Sequence, residues 1–290
     1  MNRFYLIDKP IWISSFDVIR KLRKKLNIKK MWHTWTLDPL ASGLVLVATW
    51  KYTKLIPYLE KDIKTYEYVL NLSWNTESLD LWEEVIGLSC VDNNILKEKI
   101  TDVTIQRAID TKFIWKISQI PPKFSALKIN WQRAYKLARD WKDVEIKKRE
   151  IEVFSHELLN FSYPEVKLRA TVSAWSYIRT LWNDLWYEIG LWWYLTYLRR
   201  VSMSWLSVDD SQWLDDFDEN SYVDIKSLFS KFEFIELTEA EILDISWWKF
   251  IPKKDYMNDS EQYFVIDNWE LVSVVEVRGD IIKAKINIKS

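Results

Sequence analysis

Glycine is almost missing from this chain, and tryptophan is present in excess. The 290 residues include 4 Gly and 19 Trp, whereas an average chain of this length carries roughly 20 Gly. Glycine adopts the left-handed backbone that tight turns require, and other residues do so only at a cost of about 1–2 kcal/mol. A chain with so few glycines has few places at which it can turn sharply without strain.

Several tryptophans stand where a turn would favour glycine. Asn268-Trp269 separates two alternating apolar segments, and a two-residue hairpin turn favours Asn-Gly because both turn residues have positive φ. Four further cases are Asn130-Trp131, Trp192-Trp193, Trp247-Trp248 and Trp35 in a short polar loop. We hypothesise that most of these tryptophans are glycines encoded by UGA. The alternative is a genuinely Trp-rich protein that binds sugars or bases by stacking.

Composition excludes several classes of protein. The only cysteine, Cys90, cannot form an internal disulfide, which favours a reducing compartment, so we expect a cytoplasmic protein. The N-terminus lacks the layout of a signal peptide, and no apolar run is long enough for a membrane span. The two histidines, His33 and His156, are far apart in the sequence, so we expect no metal site.

Charge is distributed unevenly along the chain. The net charge is −1, yet seven of the eleven residues from Arg20 to Lys30 are basic, and residues 209–224 are rich in Asp and Glu. A polyanion could therefore bind one face of a nearly neutral protein. The alternative for the basic segment is a solvated helix face.

Hydrophobic periodicity predicts the elements of the first 72 residues. Phe4–Ile7 is a strand, and Ser14-Ser15 begins a helix whose apolar face is Phe16, Ile19, Leu22 and Leu26. The continuous apolar run of residues 43–48 predicts a strand covered on both sides, and residues 65–72 alternate as a second strand. The sequence between these strands, residues 53–61, is expected to be helical.

The rest of the chain is predicted to be mixed. We expect helices at residues 95–111, 133–139 and 176–189, and strands at 145–161 and 166–174. Residues 119–128 contain two adjacent prolines and should be irregular. The prediction is an α+β protein with a mixed, mostly antiparallel sheet flanked by helices, in a domain of residues 1–235. A small β-rich module, residues 236–290, follows it.

One motif is specific enough to suggest a family. If Trp32 and Trp35 are read as Gly, residues 31–46 become M-G-H-T-G-T-L-D-P-L-A-S-G-L-V-L. This segment is similar to G-H-T-G-T-L-D-P-x-A-S-G-x-L, the signature of the TruB family of tRNA pseudouridine(55) synthases. The chain resembles this family in further segments as well.

The resemblance extends over most of the chain. Similar segments are Leu6–Asp17, Lys64–Tyr66, Gln119–Tyr135, Ser173–Leu185 and Leu195–Arg200. At least twelve tryptophans fall on glycines of the family, which supports the recoding hypothesis. The departures are Ser176 in place of a Thr, and a segment near residues 76–82 that is one residue short. The resemblance implies a pseudouridine synthase fold with a C-terminal PUA-like module.

The resemblance also implies a reaction and its residues. The family isomerises uridine without cofactor or metal, and Asp38 matches its catalytic aspartate, which acts either as nucleophile or as the base that starts elimination to a glycal. Arg179 matches the arginine that pairs with this aspartate and keeps it ionised and oriented. Tyr66 matches the tyrosine that stacks on the target uracil.

Further residues are expected to bind the RNA. His33 matches a histidine that fills the gap left by the extruded uridine, and Tyr177 and Leu198 match residues that line the base pocket; each could instead be an ordinary core or loop residue. Lys9 and the basic helix are expected to contact phosphates. The implied partner is the T-arm of tRNA, bound by a monomer.

Other functions remain open at this point. The chain could be a guide-RNA-dependent synthase that acts on ribosomal RNA, or a tRNA-folding chaperone with vestigial catalysis. Retention of Asp38, Tyr66 and Arg179 argues against the chaperone alternative. The C-terminal module could be a stabilising appendage and not an RNA-binding unit.

Overall fold

A computed structural model describes residues 2–59, 63–72, 74–76, 85–88, 100–112, 115–122, 128–129, 132–133, 146–181, 193–259 and 261–289. The strands of the N-terminal part are β1 (Phe4–Lys9), β2 (Met31–His33), β3 (Ser42–Thr49), β4 (Lys64–Asn71), β5 (Trp74–Thr76), β6 (Val85–Leu88), β7 (Trp115–Gln119), β8 (Lys128–Ile129), β9 (Gln132–Arg133), β10 (Arg149–Ser162), β11 (Glu165–Val172), β12 (Tyr194–Met203), β13 (Leu206–Ser207) and β14 (Gln212–Trp213). The helices of this part are α1 (Ser15–Leu26), α2 (Asp102–Lys112), α3 (Ile178–Leu181), α4 (Ile225–Leu228) and two 3₁₀ segments, Trp50–Leu59 and Val208–Asp210.

A large mixed sheet is the centre of the protein. Its strands lie in the order β14-β1-β3-β12-β4-β11-β10-β7, with β2 added beside β3 and β13 beside β12. Among these described strands, β1 with β14 and β3 with β12 pair parallel, and the other neighbours pair antiparallel. The predicted mixed, mostly antiparallel sheet is confirmed.

Both faces of the central strands are buried. In β3, Val45 and Val47 belong to a hydrophobic cluster shared with α1, whereas Leu44 and Leu46 belong to a second cluster on the opposite face. Successive side chains of a strand point to opposite faces, so burial on both sides requires a continuous apolar run. The prediction for residues 43–48 is therefore confirmed.

Helix α1 begins where the sequence predicts. The Ser14 side chain accepts a hydrogen bond from the Asp17 amide, and the Asp17 carboxylate accepts one from the Ser14 amide, which forms a capping box. The helix ends at Asn27, whose φ of 53° is left-handed.

The buried face of α1 differs from the predicted one at two residues, Phe16 and Val18. Val18, Ile19 and Leu22 are fully buried, but Phe16 is 42% exposed. Phe16 lies on the edge of the apolar stripe, since the stripe follows i, i+3 and i+4 spacing through Val18. Its ring instead contacts Trp32 edge-on.

Other boundaries shift modestly. The helix predicted at 53–61 is a 3₁₀ segment, Trp50–Leu59, with Pro57 inside it; Pro57 lacks the amide hydrogen that a regular α-helix would use. The predicted strands 145–161 and 166–174 are β10 and β11. Helix α2 ends one residue beyond the prediction. Most of the predicted helices 133–139 and 176–189 lies outside the described residues, as do the Asn130-Trp131 turn and Cys90.

A second sheet closes the chain. Its strands are β15 (Glu233–Glu236), β16 (Ile251–Pro252), β17 (Gln262–Asp267), β18 (Glu270–Arg278) and β19 (Ile281–Asn287), in the order β15-β17-β18-β19-β16, and helix α5 (Glu239–Ser246) contacts it. The predicted C-terminal β-rich module is confirmed. The boundary between residues 235 and 236 stays a prediction, and β15 straddles it.

The second sheet packs on the first through aromatic side chains. Phe264 of β17 lies 5.0 Å from Phe229 between ring centroids, and Phe229 lies 5.9 Å from Phe4 of β1. One hydrophobic cluster therefore contains residues of both sheets. Within the described residues, no helix is long and apolar enough to cross a membrane.

Many tryptophans have the backbone that the recoding hypothesis requires. In the turn between β17 and β18, Asn268 and Trp269 have φ of 48° and 65°, as the sequence predicts. Positive φ is also found at Trp12, Trp35, Trp50, Trp115, Trp175 and Trp248. Such values are uncommon for a bulky residue and easy for glycine. Glycine at these positions stays a prediction, which this backbone favours; Trp247, by contrast, has φ of −87°.

A buried histidine should make the fold sensitive to acid. The Tyr68 hydroxyl lies 2.5 Å from His156 Nε2, and burial lowers the pKa of His156 to about 3. Between pH 6.5 and 3 the unfolded chain therefore binds a proton that the folded chain does not. As the pH is lowered through this range, the free energy of unfolding should therefore fall by up to about 1.4 kcal/mol per pH unit because of this residue.

Urea unfolding at pH 7 and at pH 5 tests this expectation. In His156→Gln, the free energy of unfolding should decrease less on acidification than in the parent protein. His33→Gln is the matched comparison, because burial also lowers the pKa of His33, to about 4. An unchanged pH dependence in His156→Gln would contradict the assignment.

Candidate active site

An ion pair joins the two residues that the sequence motif singles out. Asp38 lies in the loop between β2 and β3, and Arg179 lies in α3. Asp38 Oδ2 is 2.8 Å from Arg179 Nη2, with side-chain exposures of 44% for Asp38 and 7% for Arg179. A buried guanidinium therefore holds a carboxylate that still faces the solvent, as a group that meets a substrate must.

The first turn of α1 fixes the loop that carries Asp38. The Leu37 amide donates to Ser15 Oγ at 2.8 Å, and the Ser15 hydroxyl is 3.0 Å from the Leu37 carbonyl. The Trp12 amide donates to the Pro39 carbonyl at 2.9 Å. These bonds on either side of Asp38 leave its backbone little freedom.

Lys9 differs from its predicted role. Its side chain is fully buried, and its ammonium donates to the carbonyls of Ile13 at 2.7 Å, Pro10 at 3.0 Å and Pro39 at 3.4 Å. Burial lowers the pKa of Lys9 to about 8, and the nearby Asp38 charge opposes this change. The predicted phosphate contact by Lys9 is wrong, because the ammonium is buried and donates its hydrogen bonds to backbone carbonyls that support the Asp38 loop.

A glutamine fixes the backbone before Arg179. The Tyr177 amide donates to Gln119 Oε1 at 2.9 Å, and Gln119 Nε2 donates to the Tyr177 carbonyl at 2.8 Å. Gln119 is 3% exposed. Gln119 lies in one of the segments that resemble the family, but its role could not be predicted, because an isolated Gln carries no chemical signal.

A small pocket opens beside Asp38. Its lining includes Leu198, together with Ile11, Trp12, Leu195 and Tyr197; contact of Leu198 with the target base stays a prediction. Trp12 is 53% exposed and has φ of 72°, so a glycine here would both relax the backbone and widen the pocket. Among the described lining residues, neither Tyr66 nor Tyr177 is present.

Tyr66 lies deeper in the sheet. It is in β4, opposite Arg200 of β12, and it is 8% exposed. The two residues are direct cross-strand neighbours, and in such pairs the Cβ atoms lie about 5 Å apart. Burial lowers the pKa of Arg200, and the neighbouring Tyr66 opposes this change. The role of Tyr66 against the uracil stays a prediction.

His33 is covered in this structure. It is 8% exposed, its ring stacks on Trp32 at 5.5 Å between centroids, and Nε2 lies 3.2 Å from Thr36 Oγ1. Insertion of His33 into an RNA stack stays a prediction. Trp32 occupies a position where the family motif has glycine, and glycine would leave the imidazole uncovered.

The basic segment forms an exposed surface on and after α1. Exposed cationic residues are Arg20, Lys21, Lys24, Lys25, Lys29 and Lys30. Part of this surface contacts the acidic segment, since Lys25 Nζ donates to the Leu214 and Asp215 carbonyls. In the described ranges, no group of three or more His, Cys, Asp or Glu side chains could hold a metal ion.

Solved structures share this architecture. A Cbf5-Nop10-Gar1 complex matches with a TM-score of 0.67 and 18% identity, covering 99% of this chain and 84% of the matched one. An H/ACA RNP bound to a substrate RNA containing 2′-deoxyuridine matches with a TM-score of 0.67 and 16% identity, covering 98% and 84%. These likenesses concern the fold.

Sequence comparison defines the class of enzyme. Residues 23–178 match the N-terminal domain of the TruB family pseudouridylate synthases, so the Asp38–Arg179 pair and its pocket lie in a pseudouridine synthase. The tRNA pseudouridine synthase B of Mycoplasmopsis pulmonis is 36% identical over 280 residues, which cover 96% of this chain and 92% of the relative. That of Campylobacter concisus is 31% identical over 292 residues, covering 99% and 98%. The chain belongs to the TruB family.

Proposed function

We propose that this protein converts the uridine at position 55, in the T-loop of tRNA, into pseudouridine without a guide RNA. The observation that carries the proposal is the Asp38–Arg179 ion pair of 2.8 Å at the edge of a pocket. The full-length similarity to tRNA pseudouridine synthases B supports the choice of substrate. The protein would act on the T-arm as a monomer in the cytoplasm.

The isomerisation exchanges one bond for another. The C1′–N1 bond of the uridine breaks, the uracil turns, and a C1′–C5 bond forms; C5 then loses its proton and N1 gains one. A carboxylate can assist as a nucleophile at C1′ or as the base that removes a sugar proton. Asp38 can serve either route, because Arg179 orients its carboxylate while leaving it accessible.

The reaction requires the target base to leave its stack. The carboxylate of Asp38 lies in a recess walled by Leu198 and Tyr197, which a base stacked inside an RNA helix could not enter. Extrusion of a nucleotide costs a few kcal/mol. Contacts of the exposed Lys24, Lys29 and Lys30 with phosphates would offset this cost and make binding depend on salt.

The second candidate is a guide-dependent synthase. It is favoured by the likeness in fold to the Cbf5-Nop10-Gar1 complex and to the H/ACA RNP bound to a substrate RNA. The sequence identities to those two structures are 18% and 16%, whereas the identity to the tRNA pseudouridine synthase B of Mycoplasmopsis pulmonis is 36%, which favours the tRNA substrate.

A guide-free reaction separates the two candidates. Purified protein incubated with an unmodified tRNA transcript should convert one uridine, which chemical labelling and primer extension would locate at position 55. A transcript with cytidine at that position is the matched control and should show no conversion elsewhere in the T-loop. Conversion that requires an added guide RNA would contradict the proposal, and faster tRNA folding without any conversion would support the chaperone.

A further inference from the structure

Arg200 is a fully buried cation with an unusual set of partners. Its Nε and Nη2 donate to the Leu44 carbonyl at 2.8 and 2.6 Å, and Nη2 also donates to the Trp35 carbonyl at 2.9 Å. Among the described residues, no carboxylate lies within ion-pair distance of it. Burial of a guanidinium without a charged partner costs several kcal/mol. The backbone carbonyls could be satisfied by a neutral donor without this cost, so the presence of a charged group here calls for an explanation.

The strand register explains how Arg200 reaches these partners. In β12, Arg200 lies opposite Gly43 of β3 on one side and opposite Tyr66 of β4 on the other. A Cβ on Gly43 would stand 2.2 Å from the Arg200 carbonyl oxygen, and Gly43 has φ of 102°. Only glycine permits so close an approach of the two strands.

The guanidinium thus links two parts of the candidate site. On one side, Tyr66 of β4 is the direct cross-strand neighbour of Arg200, and both side chains are buried. On the other side, Arg200 Nη2 donates to the carbonyl of Trp35, three residues before Asp38 in the same loop.

We infer that Arg200 is a positioning residue, which fixes the Tyr66 hydroxyl relative to the loop that carries Asp38. The inference rests on the proposed function. A planar guanidinium offers five donors in a fixed arrangement, whereas lysine offers one flexible ammonium and cannot hold the three partners in the same geometry. Arg200→Lys keeps the charge and removes the geometry.

Single-turnover kinetics test the inference. Arg200→Lys should lower the rate of isomerisation about 10- to 100-fold, the effect of a misplacement of about 1 Å, and should leave the KM for tRNA within about twofold. Arg199→Lys is the matched control: Arg199 pairs with Asp8 at 2.6 Å and lies one residue away. It should change the rate by less than about threefold.

A double-mutant cycle distinguishes positioning from general support of the fold. If Arg200 acts through Tyr66, Arg200→Lys should cost less than about threefold when it is added to Tyr66→Phe. An equal cost in both backgrounds, or an unchanged rate in Arg200→Lys, would overturn the inference. A failure of the proposed function would be recognised separately, because Asp38→Asn would then retain full activity.

A second measurement does not require Arg200→Lys to fold. In protein labelled with ¹⁵N-arginine, the Nε–H resonance of Arg200, assigned by its slow exchange with solvent, should shift in Tyr66→Phe. The Arg199 resonance should stay in place. An unshifted Arg200 resonance would overturn the inference.

Discussion

Replacement of Asp38 by Asn should abolish the isomerisation of uridine while tRNA binding persists. Asparagine has nearly the same shape as aspartate and can still accept a hydrogen bond from Arg179, but it is neither a nucleophile nor a base at neutral pH. We expect the single-turnover rate to fall by at least about 10³-fold, the scale on which removal of an essential catalytic group acts. The tRNA dissociation constant should change by less than about threefold.

The stability of this variant requires a control. Arg179 is buried, and loss of its charged partner leaves the guanidinium less well compensated. The half-exposed position of Asp38 limits this effect, because water screens the pair. Asp8→Asn is the matched control, since Asp8 also accepts hydrogen bonds from an arginine but lies outside the pocket lining. An Asp38→Asn rate within tenfold of the parent would refute the assignment of Asp38.

Glycine at the left-handed tryptophans should stabilise the fold strongly. Among the described residues, seven tryptophans have positive φ. Each carries a cost of about 1–2 kcal/mol, and their sum rivals the whole stability of a typical domain, about 5–15 kcal/mol. We expect the printed polypeptide to unfold at much lower urea than a variant with glycine at all seven positions. Chemical denaturation followed by circular dichroism measures the difference.

A matched variant separates backbone strain from loss of exposed indoles. Trp205, Trp213 and Trp247 are more than half exposed, as are five of the seven tryptophans above, yet none of these three has positive φ. Glycine at these three positions should give no gain in stability. The gene offers an independent test, because UGG codons at positions 12, 35 and 269 would contradict the recoding hypothesis whatever the stabilities prove to be.

The sequence predicts the chemistry of this protein better than its interior. The Asp38–Arg179 pair could be anticipated because a specific motif marks each partner, although the two residues are far apart in the chain. The two-sided burial of β3 follows from its unbroken apolar run. The turn at Asn268-Trp269 follows from local turn chemistry, which requires no knowledge of the rest of the fold.

Two buried cations show what the sequence does not reveal. Lys9 and Arg200 belong to residue types that usually lie at the surface, and only the strand pairing brings backbone carbonyls around them. The parallel contact of β3 with β12 is equally hidden, because it joins segments that are distant along the chain. Local patterns specify which residues can be buried, but the tertiary neighbours decide how each buried group is satisfied.

The packing of aromatic side chains between the two sheets limits how the molecule can be divided or engineered. Phe4 and Leu46 of the catalytic sheet share one hydrophobic cluster with Phe264 and Val274 of the second sheet. A chain cut after residue 235 would expose to water the part of this cluster that the second sheet covers. We therefore expect the catalytic portion to lose stability without the second sheet, and a different tail grafted onto it would have to supply a fitting apolar surface.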